Sequence, residues 1–293
     1  MYPKYLKGLA ALALIVAPSL YAQTLATHWE DLTAPDFVQA LQKSNQTCLL
    51  PLGIVEKHGP SGPLGTDLMN GRYIADLATK QEYSIIFPPY YFGQIAEARS
   101  QPGTLAYPAN IQMELLQVTM EEMSRNGCKK IIIQNAHGGN NMLLHYFAQA
   151  QLDKRHEYVV YAYFAAAGAD LPDAAKPSKP GADGHAGEGE ISNVMAHTPQ
   201  DAHPERAGQQ SGTDQKRLNL PAPVYTGIWW YASYPNHYQG DAAGATAARG
   251  KAATEYSAKQ LALAIKAIKE DKSAAQLQKE FYDKADNPVA TKQ

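Results

Sequence analysis

The chain has 293 residues, 45% hydrophobic and 18% charged, enough for the core of one large α/β domain, with two small ones the alternative. Its net charge of -2 gives no reason to propose nucleic acid, an anionic membrane surface or a strongly charged substrate as partner.

Lys4 and Lys7 precede an apolar stretch from about Leu9 to Val16, followed by Pro18, Ser19 and the small residue Ala22. These are the charged, apolar and cleavage regions of a secretory signal, so residues 1-22 are expected to be removed. The mature domain, 23-293, is then expected in the periplasm or outside the cell. The alternatives are a buried helix or a short anchor, but the run is too short to span a bilayer comfortably. No later segment approaches about 18 continuous apolar residues, so no membrane contact is expected after cleavage.

Trp29 to Lys43 carries apolar residues at helical spacing, and Thr47 to Gly53 is a short β-type run closed by glycine. A helix is expected over Asn70 to Lys80, starting after Asp67, and a second strand over Tyr83 to Phe87, stopped by Pro88 and Pro89. Tyr90 to Pro108 is a loop rich in Gly, Pro and aromatics. Asn110 can cap an amphipathic helix that runs to Arg125, where Asn126-Gly127 stops it. Lys129 to Gln134, with three consecutive isoleucines, is the clearest strand; a helix over Asn140 to Arg155 and a strand over Glu157 to Phe164 follow. Strands alternating with helices predict parallel βαβ units, hence an α/β fold with a mostly parallel central sheet flanked by helices. Ala165 to Gly184 is broken by prolines and glycines and reads as a loop or lid. Glu188 to His197 is a short helix, Asn219 to His237 an irregular aromatic segment, and Thr246 to Asp271 a long surface helix; from about Lys284 the chain is polar and frayed.

Cys48 lies eight positions before Glu56 and Cys128 nine before His137, so parallel strands would place both at a similar level of the sheet. Export permits a disulfide between them; two buried free thiols are the open alternative. No Cys-x-x-Cys spacing marks either as a metal ligand.

Three clusters carry chemistry. In Glu56-Lys57-His58 an extended backbone sends the carboxylate and the imidazole to the same side. Asp67 follows nine residues after His58, beyond a Gly-Pro-Ser-Gly-Pro turn, and its two oxygens can bridge two ions. His137 stands in a Gly-Gly-Asn turn after the isoleucine strand, and His185-Ala186-Gly187-Glu188-Gly189-Glu190 opens the short helix. Any one such group is more often structural or solvated. Loops gathered at the carboxyl edge of a parallel sheet can bring all three together, which points to a metallohydrolase. No Gly-x-Ser-x-Gly elbow suggests a serine hydrolase.

These motifs resemble those of the creatininase (creatinine amidohydrolase) family: Glu-x-His-Gly-Pro with a downstream Thr-Asp, Asn-x-His-Gly-Gly-Asn, and His-Ala-Gly-Glu-x-Glu. They stand here, in the family's order, as Glu56 to Pro60 with Thr66-Asp67, Asn135 to Asn140, and His185 to Glu190. The similarity runs from about Leu49 to Gly250 and includes Gly240-Asp241 with Ala245-Thr246. It implies a layered α/β sandwich, two divalent metal ions (Zn, Mn or Fe), a homo-oligomer such as a hexamer, and hydrolysis of a non-peptide or cyclic C-N bond in a small amide or lactam by metal-activated water. By position, Glu56, His58, Asp67 and His137 would be metal ligands, with Asp67 the bridge. His185 would protonate the leaving nitrogen, and Glu190 would be the carboxylate beside the metals that accepts the proton of water. Members acting on creatinine carry a glutamate where Gly139 stands, which counts against creatinine as substrate. Glu188 is the expected replacement ligand, with Glu190 the other candidate. Gln is usual where Lys57 stands, a second histidine where Ser61 stands and threonine where Ile191 stands. Deformylation or trimming of a small modified peptide in the same site, and a non-catalytic periplasmic metal- or ligand-binding protein, are the alternative readings. Trp229-Trp230-Tyr231 forms either an aromatic wall over the substrate or ordinary core.

Overall fold

Every residue of the first strand and all three isoleucines of the third are buried, so alternate side chains must serve two separate cores. That requirement sets the layering of the computed structural model, which describes residues 25–165 and 171–292. The expected signal, 1-22, and residues 166–170 of the Ala165 to Gly184 loop lie outside the described residues.

The described residues form one sheet of β1 (Thr47–Leu52), β2 (Ile85–Ile86), β3 (Lys130–Asn135) and β4 (Val159–Phe164), paired in parallel in the order β2-β1-β3-β4. Helices cover both faces, as parallel strands require. On one face Cys48, Leu50, Leu52, Ile131 and Ile133 pack against Leu116, Met120 and Met123 of α3 (Ala109–Arg125) and Leu144 and Phe147 of α4 (Asn141–Ala150), with Ala40 of α1 (Ala34–Lys43) at the margin. On the other, Leu49 and Ile132 meet Ala75 and Ala78 of α2 (Thr66–Thr79) and Ala258, Leu261 and Ile265 of α7 (Ala247–Glu270). Between α4 and α7 the chain forms α5 (Glu188–His197) and the single turn α6 (Trp229–Ser233); α8 (Ser273–Ala285) ends the fold.

Several elements differ from their sequence reading for local reasons. α1 starts at Ala34, not Trp29, because Thr33 caps it and Pro35 occupies its first turn. α2 starts four residues earlier than expected, which draws Asp67 into its first turn. α7 is no mere surface helix: its small and aliphatic residues supply much of the second core. α8 was not anticipated, since only Tyr282 of it is buried; its hold comes from Tyr282 Oη donating to Gln151 O (2.6 Å) and Gln278 Nε2 donating to Tyr158 O (2.8 Å).

Parallel pairing places Cys48 opposite Ile131, close to Cys128 at the start of β3. The two cysteines form a disulfide with Cα atoms 5.8 Å apart, which decides between the bonded and free-thiol alternatives.

Candidate metal centre

The close approach of α2 to the end of β1 starts the site. A Cβ at Gly53 would lie 2.5 Å from the backbone of Leu68, so only glycine lets β1 run this near the helix. Asp67 thereby faces the extended segment carrying Glu56 and His58, its carboxylate at a helix N-terminus that favours negative charge. β3 delivers His137 two residues past its end, and Ala136 N donates to Leu52 O to hold the two strand exits together (3.0 Å). The first turn of α5 and the residues before it bring in Glu190 and His185.

His137 Nδ1 is 2.9 Å from Glu56 Oε1 and 3.0 Å from Asp67 Oδ2, while its Nε2 pairs with Gln94 O at 3.1 Å. His58 Nε2 is 3.2 Å from Asp67 Oδ1 and 3.7 Å from Glu190 Oε2, with Nδ1 pairing with Glu56 O at 3.2 Å. In each ring the carbonyl takes the N–H and leaves the other nitrogen's lone pair toward the carboxylates, the usual arrangement of a ligating imidazole. Three donor sets result, Glu56-Asp67-His137, His58-Asp67-Glu190 and Glu56-His58-His185, and Asp67 belongs to the first two. Glu56 Oε1 and Asp67 Oδ2 are buried without a hydrogen-bond donor, which burial penalises unless a cation is present. The residues therefore fit a pair of bound metal ions.

Electrostatics point the same way. Burial alone would lower the pKa of His58, but Asp67, Glu190 and Glu56 outweigh it and lift it to about 10. His137 is likewise held well above its ordinary value by Glu56 and Asp67 against the effect of burial. Burial pushes Glu56 and Asp67 up, yet the facing histidines bring both below the usual carboxylate range. The cluster demands positive charge, and without ions protons on imidazole supply it. His185 behaves oppositely: burial, with repulsion from His58 and His237, outweighs Glu56 and drops it to about 3. Its Nε2 pairs with Lys57 O at 2.9 Å, leaving Nδ1 3.9 Å from Glu190 Oε2. Glu190 is raised to about 7 by burial and by Asp67, against His58; its side chain nonetheless remains 34% exposed to the cavity.

The structure thus brings together six of the seven anticipated residues and leaves out Glu188. A helix advances about 100° per residue, so Glu188 and Glu190 leave α5 on opposite sides. The fully buried Glu188 carboxylate meets Arg249 Nη1 and accepts from Ser178 N (2.9 Å) and Oγ (2.8 Å), away from the donor sets. Glu190 instead joins His58 and Asp67 in a donor set. Lys57 is partly buried and donates to Gln101 Oε1 at 3.0 Å. Sequence reasoning missed His237, whose Nε2 donates to Glu56 Oε2 and whose Nδ1 accepts from Trp230 Nε1 at 2.8 Å. It carries no motif; only its place after the Trp229-Trp230-Tyr231 run could have drawn notice.

Glu56, His137, His185, His237 and Glu190 line a cavity of about 340 Å³, walled by Trp229 and Trp230. It adjoins a groove of about 680 Å³ that continues past Trp229 to Tyr225, Ile228, Tyr231 and Met142. Trp229 and Tyr231 are 40% and 38% exposed, which favours the aromatic wall over core packing.

A family model described as "Creatininase: Creatinine amidohydrolase" matches residues 30–265. Over 98 residues, 31% of this chain and 39% of the relative, the chain is 31% identical to the mycofactocin precursor peptide peptidase of Mycolicibacterium smegmatis. The match spans about two fifths of that relative's length. Among solved structures, creatinine amidohydrolase (creatininase) superposes with a TM-score of 0.71 at 17% identity, covering 85% of this chain and 100% of that one. A glutamate-to-glutamine variant of creatininase of Zn-Zn type gives a TM-score of 0.70 at 16% identity, with 85% and 100% coverage. With most of its length matched by the family model, the chain belongs to the creatininase family.

Proposed function

We propose that the chain is a metal-dependent amidohydrolase that cleaves an amide bond of a small, peptide-like substrate. The observation that carries this reading is a carboxylate, Asp67, shared between two buried donor sets beside a cavity that continues into an apolar groove. Glu56, Asp67 and His137 would hold one ion and His58, Asp67 and Glu190 the other. Divalent ions there would supply an acidified water and a Lewis acid for the substrate carbonyl.

The chain's own residues do the rest. His237 occupies Glu56 Oε2 and so leaves Oε1 for the ion. Glu190, raised toward neutrality, can take up a proton at Oε2, where Ala186 N–H also points at 2.6 Å. His185 is neutral with its Nε2–H donated to Lys57 O, so only Nδ1, which faces Glu190, is free to take up a further proton. That path takes the proton from Glu190 through His185 to the departing nitrogen. Trp229 and Trp230 supply the aromatic wall of the cavity.

The combined cavity exceeds what a compact lactam fills, which supports a peptide-like amide over a cyclic one. The name of the mycobacterial relative supports the same choice, over the part of that protein the chain matches. Reaction outside the cytoplasm belongs to this proposal, supported by the Cys48–Cys128 disulfide. The test is metal-loaded and chelated protein against short peptide amides, N-formyl peptides, lactams and creatinine, with products identified by mass. Chelator-sensitive cleavage within the peptide amides is expected; bound metal without turnover of any of them would leave a binding protein.

A further inference from the structure

The 340 Å³ cavity and the 680 Å³ groove share four lining residues: Glu97, Gly138, Gly139 and Trp229. These form the neck between the outer groove and the inner cavity beside the metal centre. Gly139 tolerates no side chain, because its Cβ would lie 2.4 Å from His137 Nε2 and 3.2 Å from Gln94 O, whereas Gly138 borders open space. Of the four, only Glu97 is charged. Among the described residues its one hydrogen bond is from Gln94 Nε2 to Oε2 (2.9 Å), and it forms no ion pair, so Oε1 is left without a hydrogen-bond partner. Glu97 is in none of the candidate metal-binding groups. Arg99, on the same turn, lines the groove but not the inner cavity. Gln94 fixes the turn: its backbone N–H donates to Asn140 Oδ1 (2.8 Å), its O meets His137 Nε2 (3.1 Å), and its Oε1 accepts from Ala96 N (2.7 Å).

A half-buried carboxylate without a counter-charge, beside an exposed indole, is a receptor for an organic cation, since charge-assisted hydrogen bonding and the ring face attract the same group. We propose that Glu97, flanked by Trp229, is the specificity-determining residue of the site and receives a protonated amine of the substrate at the neck, so that the preferred substrates are amino-bearing amides. The proposal rests on the amidohydrolase reading for the bond cleaved, but not for the binding it describes.

The test reads binding without turnover. Metal-loaded wild-type protein and its Glu97→Gln variant are titrated calorimetrically with phenethylamine and with 2-phenylethanol, its neutral counterpart. Wild type should prefer the amine by about tenfold, the order of one charge-assisted hydrogen bond. Glu97→Gln should erase that preference while affinity for the alcohol, ion content and melting temperature hold. A preference that survives in the variant means other groups or the ions hold the amine, and overturns the assignment. Ion loss in the variant would make Glu97 a ligand, and equal weakening toward both probes would make its role structural; either result overturns it, as does failure of wild type to prefer the amine. Amine preference in a protein that hydrolyses no amide would leave this inference standing and remove the proposed function alone.

Discussion

Asp67 presents Oδ1 to His58 at 3.2 Å and Oδ2 to His137 at 3.0 Å, whereas His185 touches no oxygen of Asp67 within hydrogen-bond range. The two residues should therefore part under mutation. Asp67→Ala should reduce bound metal from about two ions per chain to nearly none, read by elemental analysis. His185→Ala should keep its ions and lose turnover by roughly 10²–10⁴-fold, the range for a positioned acid or base; loss of metal there would make His185 a ligand. pH supplies an independent check. In chelated protein the pKa of His58 is lifted to about 10 from an ordinary 6.5, so its contribution to stability is complete below about 6.5 and is lost as pH rises through about 10. Ion binding needs the imidazole neutral, so metal affinity rises with pH across that same window. Melting curves at about pH 6 and about pH 9, with and without chelator, should show the gap between loaded and chelated protein widening at the higher pH. Parallel curves would mean that His58 meets no ion.

At the scale of elements, the Cys48–Cys128 bond ties the second residue of β1 to the entrance of β3 across a separation of 80 residues. A loop of that length gives a chain-entropy contribution of about 4 kcal/mol, less any strain in the folded state. Replacing both cysteines by Ala should lower the melting temperature by roughly 10 °C in a chain of this size; an unchanged value would show that the crosslink does not limit the unfolded state. β3 was readable because three isoleucines in a row are buried on both faces, and α5 because its glycine-rich entry sets where it can start. β2 shrank to Ile85–Ile86, and α4 ended at Ala150 instead of Arg155, since boundaries depend on packing that periodicity does not encode. The motif around α5 likewise identified two glutamates but not which side of the helix each would leave. Arg249, more than fifty positions away, claims Glu188, and Glu190 is left to the cluster. His237 was illegible for the same reason: its partner Glu56 is 181 residues distant.

For the molecule as a whole, three packed layers hold the ends of β1 and β3 rigid while loops supply the donors, so the centre stays fixed as the cleft around it varies. Cleft shape had little sequence signature beyond the Trp229-Trp230-Tyr231 run, because Glu97, Gly139 and Trp229 come from three separate segments. It nevertheless determines which substrates gain most. Remote binding energy accelerates catalysis when it is realised in the transition state, so a substrate that extends past the neck should gain kcat as well as affinity. A compact lactam fills only the inner 340 Å³ and leaves Tyr225, Ile228 and Tyr231 in water. Burying one aromatic side chain in that groove is worth about 2–3 kcal/mol, roughly a hundredfold in kcat/KM. A series of amides lengthened one residue at a time toward the groove should therefore rise steeply in kcat/KM at the first aromatic residue that reaches Tyr231, and then level off. Values that stay flat along the series would confine the reaction to the inner cavity and return the compact amide as the substrate.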